Sequence, residues 1–568
     1  MRPVGQDPQA WRSRLVLFLM FAAFAVLAAR AVWLQLVSDE FLRRQGAARH
    51  VRTQELAASR GRILDRNGDV LAMSLPVKAV WAAPDEVRGA APQQLDALAR
   101  LLGLGRAELD AKLASPRSLV YLKRQVEQDT AGRILQLGIR GIETRGEYKR
   151  YYPYGELTAH VVGFTSIEDA GQEGMELAHQ ASLAGAAGSR RVLKDRLGHL
   201  LEDMGTTRPA RDGKDLTLSI DRNIQHIAQS HLKAALEKHQ ARAGGIVVLD
   251  VRTGEVLALA NLPNYDPNDR GRLGGAQLRN RVLTDTFEPG SVMKPFTIAQ
   301  ALESGVATPD TIVETAPGSL SIGRATIHDA SRHGALTVAE VLQKSSNVGT
   351  AKLALRMAPR EMWTLLTRAG FGQAPALGFP GSAAGRLRPY AAWKPIEQAT
   401  ISYGHGVSTS LMQMAQSYLV FARDGDMVPV TLLKADAAPP AQPVISGATA
   451  SAVRGMMERA AGPGGTAPRA RIPGYRVAGK TSTAHKAVGG RYTNTYVAAF
   501  VGFAPASAPR VIVAVMIDEP SAGGHYGGTV AAPVFAAVAQ DTLRALNVAP
   551  DAPVGDIIAP LEATDEES

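Results

Sequence analysis

The chain has 568 residues, 45% of them hydrophobic and 20% charged, which is enough for two or more domains with substantial cores. It has no cysteine, so disulfides, cysteine-ligated metals and a cysteine nucleophile are excluded. The net charge of +10 would suit nucleic-acid binding, but the basic residues are dispersed and no nucleic-acid motif is present, so a positive surface facing an anionic membrane is the simpler account.

The first predicted element is an apolar segment near the N-terminus. Residues 15–29 carry no charge, and Arg30 follows them. These 15 residues are fewer than the roughly 20 that cross a bilayer, but the Arg30 side chain can reach the interface and lengthen the span. We therefore predict a transmembrane helix over residues 15–37.

The charges beside this segment predict its orientation. Arginines precede it at positions 2, 12 and 14, so residues 1–14 are expected to stay cytoplasmic. Because no second apolar span follows, the rest of the chain is expected to be periplasmic. The alternative is a cleaved signal peptide, since residues 28–31 are mostly small. We favour the uncleaved anchor in the inner membrane.

The remainder divides into two regions. Residues 38–235 mix short strand patterns with turns rich in Gly and Arg. Residues 236–548 place apolar runs at both ends of a long helical middle, which predicts an antiparallel sheet flanked by helices, an α/β (α+β) fold. Residues 549–568 end in Asp-Glu-Glu-Ser and are predicted to be a disordered tail.

The most informative segment is residues 288–296, Glu-Pro-Gly-Ser-Val-Met-Lys-Pro-Phe. It places Ser291 three residues before Lys294, so both lie on one face if a helix begins there. A serine needs an adjacent base to act as a nucleophile, and a partly desolvated lysine can serve. Backbone N–H groups at the start of the helix can then stabilise an oxyanion.

The Ser-x-x-Lys pattern alone is weak evidence, because Ser230 and Lys233 match it as well. Those two residues lie inside an amphipathic helical pattern with no break before it. That context predicts a solvated helix face rather than a nucleophile.

Two further segments favour Ser291. Ser345 and Asn347 form a Ser-x-Asn pattern, and residues 480–483 read Lys-Thr-Ser-Thr. Each has a simpler interpretation, a turn or cap for the first and an exposed strand end for the second. The three motifs in this order are typical of β-lactamases and penicillin-binding proteins.

Longer motifs extend the pattern. Residues 60–72 read Arg-Gly-Arg-Ile-Leu-Asp-Arg-Asn-Gly-Asp-Val-Leu-Ala, and residues 287–291 read Phe-Glu-Pro-Gly-Ser. Further segments of this kind are Arg150–Pro153, Gly171–Glu176, Tyr526–Gly528 and Ala532–Phe535. With these motifs, most of the chain resembles the class B penicillin-binding proteins, and most closely their division-specific FtsI type.

The resemblance implies a fold and an activity. It implies a penicillin-binding, serine β-lactamase-like transpeptidase domain over residues 236–548 and an elongated, mixed α+β pedestal domain of the dimerisation type over residues 38–235. It implies a septal peptidoglycan D,D-transpeptidase that forms an acyl-enzyme on Ser291 and is acylated by β-lactams. Neither a cofactor nor a metal is implied.

The resemblance also implies partners and site residues. The partners are peptidoglycan stem peptides, nascent glycan strands, a membrane-embedded SEDS glycosyltransferase of the FtsW kind and other divisome proteins. The implied catalytic residues are Ser291, Lys294, Ser345, Asn347 and Lys480. The implied substrate-binding residues are Thr481, Ser482 and Thr483, and the implied oxyanion hole consists of the backbone N–H groups of Ser291 and Thr483.

One departure separates the chain from the family pattern. The family usually has glycine as the third residue of Lys-Thr-Gly, whereas this chain has Ser482. Glycine suits the close approach of a backbone, so serine there predicts altered β-lactam affinity, altered substrate preference or a specialised paralogue.

Other functions share parts of this pattern. A β-lactamase carries the same three motifs, but the chain lacks a Glu-x-x-Leu-Asn segment, and a soluble lactamase would not explain the anchor. A β-lactam sensor, a division scaffold with little turnover and an elongation-specific paralogue remain alternatives. A bifunctional class A protein is disfavoured because no glycosyltransferase-type Glu-Asp motif follows the anchor.

Overall fold

The computed structural model describes residues 8–33, 51–194, 200–269, 271 and 275–553. The chain divides into two compact units, each assembled from separate stretches of sequence. The first unit comprises Met1–Ser59 and Gly185–Asp212, and the second comprises Arg60–Ala184 and Gly213–Ser568. The domain boundaries given above remain predictions.

The strands of the described residues are, in chain order, β1 (Val51–Leu56), β2 (Ile63–Leu64), β3 (Val70–Ala82), β4 (Val120–Val126), β5 (Ile142–Tyr151), β6 (Gly188–Lys194), β7 (Leu200–Arg208), β8 (Leu216–Thr217), β9 (Ala243–Asp250), β10 (Val256–Leu262), β11 (Ile312–Glu314), β12 (Ser319–Ile322), β13 (Ala325–His328), β14 (Ala335–Thr337), β15 (Asp426–Met427), β16 (Gln442–Pro443), β17 (Ala478–Val488), β18 (Arg491–Ala504) and β19 (Val511–Asp518).

The α-helices are α1 (Pro8–Val32), α2 (Pro84–Val87), α3 (Pro92–Leu102), α4 (Arg106–Leu113), α5 (Gln128–Gln136), α6 (Ala159–Val162), α7 (Gly174–Ala178), α8 (Gln180–Leu183), α9 (Arg222–His239), α10 (Gly275–Leu278), α11 (Arg281–Thr284), α12 (Lys294–Glu303), α13 (Val338–Gln343), α14 (Asn347–Ala354), α15 (Pro359–Arg368), α16 (Pro395–Ile401), α17 (Leu411–Ser417), α18 (Leu419–Ala422), α19 (Gly447–Ala461), α20 (Gly527–Val530) and α21 (Ala532–Ala545).

The N-terminal apolar segment is helical, as predicted. Within α1, residues 11–32 form a candidate membrane span whose most apolar 18 residues have a mean hydropathy of 2.5, and none of these is buried inside the protein. A helix of this length and composition fits a single-pass membrane anchor. The end of the predicted span, residues 34–37, lies outside the described residues.

The first unit contains a small antiparallel sheet of order β1–β6–β7. Residues 51–56 of β1 pair with residues 188–193 of β6, so segments far apart in the sequence form its central pairing. This explains why one compact unit is assembled from two separate stretches of chain.

The second unit is organised around a five-stranded sheet of order β10–β9–β19–β18–β17. Every neighbouring pair in this sheet is antiparallel. Strand β9 pairs with β19, with Ile246 opposite Val515, so the two apolar ends of the region form one sheet. The predicted antiparallel sheet flanked by helices is confirmed.

Both faces of this sheet are buried. Ile246 belongs to the core that contains Phe535 of α21 on one face, whereas the next residue, Val247, belongs to the core that contains Phe296 of α12 on the other. Side chains alternate between the two faces of a strand, so a strand covered on both sides needs apolar residues throughout. All residues of β9 are accordingly buried.

The second Ser-x-x-Lys serine lies where its context predicts. Ser230 is on the exposed face of α9, with its Oγ 3.4 Å from Nε2 of His226 on the same helix. It is therefore part of a solvated helix surface.

A second mixed sheet belongs to the same unit. It has the order β4–β3–β2–β8, and β5 pairs with β3. Helices α3, α4 and α5 bury Leu98, Leu109 and Ile134 against Val80 and Leu122 of this sheet. This separate core gives residues 70–151 a helix-covered sheet of their own.

Part of the predicted disordered tail is ordered. Residues 549–553 are described, and the Asp551 carboxylate accepts a hydrogen bond from the backbone N–H of Arg476 at 2.7 Å and one from the Ser507 hydroxyl at 2.5 Å. These bonds hold the chain as far as residue 553. Residues 554–568 lie outside the described residues.

A buried ion cluster joins three of the sequence motifs. The Glu176 carboxylate lies 2.6 Å from Nε of Arg60 and 2.6 Å from Nε of Arg150, and all three side chains are almost fully buried. Arg60 also donates to the Glu176 carbonyl at 2.7 Å and to Gln180 at 2.8 Å. These motif residues thus form a structural ion cluster inside the second unit.

Replacing Glu176 by glutamine is expected to destabilise the protein, because two guanidinium groups would remain buried without a carboxylate between them. Breaking a buried ion pair typically costs about 3–5 kcal/mol. Denaturant titration of the detergent-solubilised chain measures the loss. Glu168→Gln is the matched control, since Glu168 pairs with Arg124 at 3.0 Å but is 63% exposed, and exposed pairs contribute about 0.2–1 kcal/mol. Equal losses in the two variants would contradict this prediction.

A buried histidine makes stability depend on pH. The Nε2 atom of His160 lies 2.8 Å from the Gln277 carbonyl, and its ring meets the edge of Tyr265 at 5.2 Å. Burial lowers the pKa of His160 from 6.5 to about 4, because the charged imidazolium is poorly solvated there.

We expect the free energy of unfolding to fall as pH is lowered from about 6.5 towards 4, because the unfolded chain then binds a proton that the folded chain does not. The stability that comes from keeping His160 uncharged in the folded protein is fully present above about pH 6.5. Its full size is about 3 kcal/mol. Unfolding curves at about pH 7.5 and about pH 5 should differ by about 2 kcal/mol of this total. In His160→Gln this part of the pH dependence should disappear, and an unchanged pH dependence would refute the assignment.

Candidate active site

Ser291 lies in a 3₁₀ turn, Gly290–Met293, that leads directly into α12. Gly290 has a φ of +59°, a left-handed conformation that glycine adopts without a steric penalty. Pro295 falls in the first turn of α12, where a missing N–H costs nothing. The break and the proline therefore place the serine at the start of a helix, as the sequence predicted.

The hydroxyl of Ser291 is linked to Lys294 through a second serine. Lys294 Nζ donates to Ser345 Oγ at 2.8 Å and also to the Ser345 carbonyl. Ser345 Oγ in turn donates to Ser291 Oγ at 3.1 Å. Lys294 is fully buried and Ser291 is 5% exposed. The structure thus joins three predicted catalytic side chains in one buried hydrogen-bonded chain.

Ser345 is held in an uncommon backbone conformation. Its φ is +60°, in the left-handed region that non-glycine residues seldom adopt. It lies between α13 and α14, whose first turns are capped by Thr337 and Ser346. The backbone N–H groups of Ser345 and Ser346 also bond back to carbonyls of α13, which holds the connection, and the Ser345 hydroxyl contacts the lysine and the nucleophile.

Asn347 begins α14, two residues after Ser345. Its Nδ2 donates to the His328 carbonyl at 3.0 Å. Its Oδ1 is buried and has no hydrogen-bond partner among the described residues. The Asn347 amide is therefore fixed through its Nδ2, while its Oδ1 remains as a hydrogen-bond acceptor.

Strand β17 supplies the third motif. Lys480 Nζ lies 3.1 Å from Thr481 Oγ1 and 3.3 Å from Thr466 Oγ1, and the two threonine hydroxyls are 2.9 Å apart. All three side chains are buried. Sequence reasoning did not find Thr466, although the glycine-rich turn at residues 462–465 marks its segment as a tight bend.

The next two residues of β17 make different contacts. Thr483 Oγ1 accepts a hydrogen bond from the Gly527 N–H at 3.0 Å. Ser482 Oγ donates to the Pro289 carbonyl at 2.6 Å, so it bonds to the turn that carries Ser291. Both side chains are almost fully buried.

Glu288 connects three segments beside the nucleophile turn. Its carboxylate accepts hydrogen bonds from the Gly406 N–H at 2.8 Å and from the Tyr492 hydroxyl at 2.9 Å. Burial and this bond to Glu288 raise the pKa of Tyr492 to about 12. Burial also lowers the pKa of His405, which favours a neutral ring. Sequence reasoning missed this contact, because nothing in the local pattern links residues 288, 406 and 492.

The arrangement can carry out acyl transfer. It contains a serine nucleophile at a helix start, a lysine linked to it through a hydroxyl, and a second buried lysine on the adjacent strand. A hydroxyl between two polar groups can pass a proton in either direction. Within the part of the chain that the structure describes, no group of three or more His, Asp or Glu side chains could hold a metal ion.

Comparison with protein-family models gives two matches. The penicillin-binding protein transpeptidase domain matches residues 244–540, and the penicillin-binding protein dimerisation domain matches residues 55–218. These two matches cover most of the described chain.

Curated relatives match over almost the full length. The chain is 44% identical to a probable peptidoglycan D,D-transpeptidase PenA of Neisseria gonorrhoeae, over 96% of this chain and 94% of the relative. It is 41% identical to the peptidoglycan D,D-transpeptidase FtsI of Escherichia coli K12, over 97% and 95%.

Solved structures agree in fold. The transpeptidase domain of Burkholderia pseudomallei penicillin-binding protein 3 is 52% identical, with a TM-score of 0.55, and covers 59% of this chain and 98% of that one. A peptidoglycan synthetase from Bifidobacterium adolescentis is 26% identical, with a TM-score of 0.71 over 90% of this chain and 100% of that one. With its transpeptidase domain, its dimerisation domain and relatives of this kind, the chain belongs to the class B penicillin-binding proteins of the FtsI and PenA type.

Proposed function

We propose that the chain is a peptidoglycan D,D-transpeptidase that cross-links stem peptides through an acyl-enzyme on Ser291. The observation that carries the proposal is the buried chain of hydrogen bonds from Lys294 through Ser345 to Ser291. The names of the full-length relatives support the same reaction.

In the acylation step, the Ser291 hydroxyl attacks the carbonyl between the two terminal D-alanines of a stem peptide. Lys294 takes the hydroxyl proton. The bond from that carbonyl to nitrogen breaks, and Lys294 passes the proton through the Ser345 hydroxyl to the leaving nitrogen, so that free D-alanine departs. The products are an ester on Ser291 and the released amino acid.

In the second step, an amine of a neighbouring stem peptide attacks the ester. The new amide forms as the Ser291 oxygen leaves, and the amine proton returns to that oxygen through the Lys294 and Ser345 groups. The net result is one amide bond exchanged for another, which needs no external energy source.

Other residues stabilise charge and hold the substrate. The backbone N–H groups of Ser291 and Thr483 form the oxyanion hole, and losing one such donor typically costs about 10²–10³ in rate. Lys480 adds positive potential, and Thr481 and Thr483 bind the terminal carboxylate. Asn347 orients the lysine and the substrate amide, for which its buried Oδ1 is a suitable acceptor.

A β-lactam imitates the terminal dipeptide and acylates the same serine. The alternative functions differ in the fate of this adduct. A β-lactamase would hydrolyse it, whereas a sensor or scaffold would keep it but would not cross-link stem peptides. An elongation-specific paralogue would share the chemistry, and the division enzyme FtsI among the relatives favours a division role.

Labelling of membranes with a fluorescent penicillin tests the nucleophile. Ser291→Ala is expected to abolish the labelled band, because no acceptor hydroxyl remains at the helix start. Ser230→Ala is the matched control, since that serine has the same motif on an exposed helix, and it should label like the wild type. A band that persists in Ser291→Ala would exclude Ser291 as the nucleophile.

The lifetime of the adduct and a cross-linking assay separate the alternatives. A transpeptidase is expected to keep the penicilloyl adduct for many minutes and to join purified stem peptides. Loss of the adduct within seconds would favour a β-lactamase. A stable adduct without stem-peptide cross-linking would favour a sensor or scaffold.

The anchor extends the proposal to location and partners. Within the described residues there is one apolar helix with an unburied surface, which suits an inner-membrane protein with a periplasmic catalytic domain. The FtsI relative favours the division septum as its location. The same free surface can pack against helices of an SEDS glycosyltransferase of the FtsW kind, which supplies nascent glycan strands, and other divisome proteins then assemble around the pair.

Exchanging residues 8–33 for an unrelated transmembrane helix tests this extension. Penicillin labelling is expected to persist, because the active site lies in the second unit, whereas co-purification with the SEDS protein should be lost. Co-purification of the exchanged chain at the wild-type level would show that α1 does not mediate the contact.

A further inference from the structure

Ser482 connects the sheet to the segment that carries the nucleophile. Its Oγ donates to the Pro289 carbonyl at 2.6 Å, and Pro289 immediately precedes the 3₁₀ turn that contains Ser291. The side chain is 1% exposed. The only proton of this hydroxyl is therefore used on the protein's own backbone, in a position shielded from solvent.

The turn is closely packed on two sides. A Cβ built on Gly290 would lie 2.4 Å from Ser482 Oγ, and a Cβ built on Gly404 would lie 2.2 Å from the Gly290 carbonyl oxygen. Distances this short allow no side chain at either glycine. The turn is thus held between the Ser482 hydroxyl and the backbone at Gly404.

Ser482 is itself fixed by the sheet. It pairs with Ala499 of β18, and a Cβ built on Gly527 would lie 2.3 Å from the Ser482 carbonyl oxygen. The backbone of β17 at this point is therefore confined between β18 and the start of α20. A hydroxyl on such a rigid backbone can hold the turn at a defined distance from β17.

We propose that Ser482 is a positioning residue, whose hydrogen bond to Pro289 sets the distance between the turn of Ser291 and strand β17. The inference rests on the proposed function. Ser291 lies two residues after Pro289, and Thr483 follows Ser482, so the bond ties together the two backbone N–H groups of the oxyanion hole. Their separation decides whether both can contact one oxyanion.

A glycine at position 482 has no hydroxyl and cannot make this bond. In this chain Ser482 acts by positioning Ser291 and the backbone N–H groups of the oxyanion hole. Its effect should therefore appear in the rate of acylation rather than in the initial binding of the ligand.

Rapid mixing of the full-length, detergent-solubilised chain with a fluorescent penicillin tests the proposal. The concentration dependence gives a dissociation constant for the initial complex and a rate constant for acylation. Ser482→Ala and Ser482→Gly are expected to lower the acylation rate constant about 10-fold or more, since small misplacements of reacting groups are costly. The dissociation constant should change by less than about 2-fold, because direct binding is unaffected.

Ser219→Ala is the matched control. Ser219 is a buried serine whose Oγ donates to the Val256 carbonyl at 2.8 Å, away from the nucleophile turn. It should lower the thermal midpoint and leave the acylation rate constant of the folded protein unchanged.

Three outcomes would overturn the proposal. Unchanged acylation in both Ser482 variants would show that the hydrogen bond has no positioning role. A weaker initial complex with an unchanged rate constant would make Ser482 a substrate-binding residue instead. A wild-type chain that is not acylated at all would overturn the proposed function, and the inference with it.

Discussion

The amino group of Lys294 is fully buried, so it needs hydrogen-bond partners inside the protein. Burying a polar group without such partners costs free energy. Ser345 supplies both its hydroxyl and its carbonyl to Lys294, which its left-handed backbone makes possible. Ser346, the next residue, caps α14 and so fixes the chain just after this conformation. The need of Lys294 for hydrogen-bond partners thus accounts for the uncommon backbone of Ser345 and for the alignment of its hydroxyl with the nucleophile.

The antiparallel sheet provides the rigid support for this arrangement. It is covered by helices on both faces, and its outer strand β17 lies against the nucleophile turn. Lys480 is buried on that strand with Thr466 and Thr481 around its ammonium group. The site therefore combines a helix start, a loop between two helices and a strand. Each element is fixed by a different part of the core, so their relative positions are well determined.

Local pattern predicted much of this architecture. The apolar runs of β9 and β10 indicated the sheet, and the break before Ser291 with Pro295 after it indicated the start of the helix. The order of the motifs predicted that distant segments meet, and Ser291, Lys294 and Ser345 do so, although their catalytic roles remain proposals. Thr466, His328 and Glu288 could not be predicted, because their contacts depend on how loops distant in sequence pack together. The hydrogen bond from Ser482 to the Pro289 carbonyl could not be predicted for the same reason.

The pairing of β9 with β19 has a consequence for how the protein is made. During synthesis, β9 and β10 emerge first as a two-stranded ribbon, and a ribbon alone is at best marginally stable in water. The open edge of β9 gains its partner, β19, only after most of the catalytic region has been synthesised. Until then the edge is a template for incorrect pairing with other chains. Because such long-range pairing also slows folding, this edge stays unpaired until the last strand of the sheet has been synthesised and has folded against it.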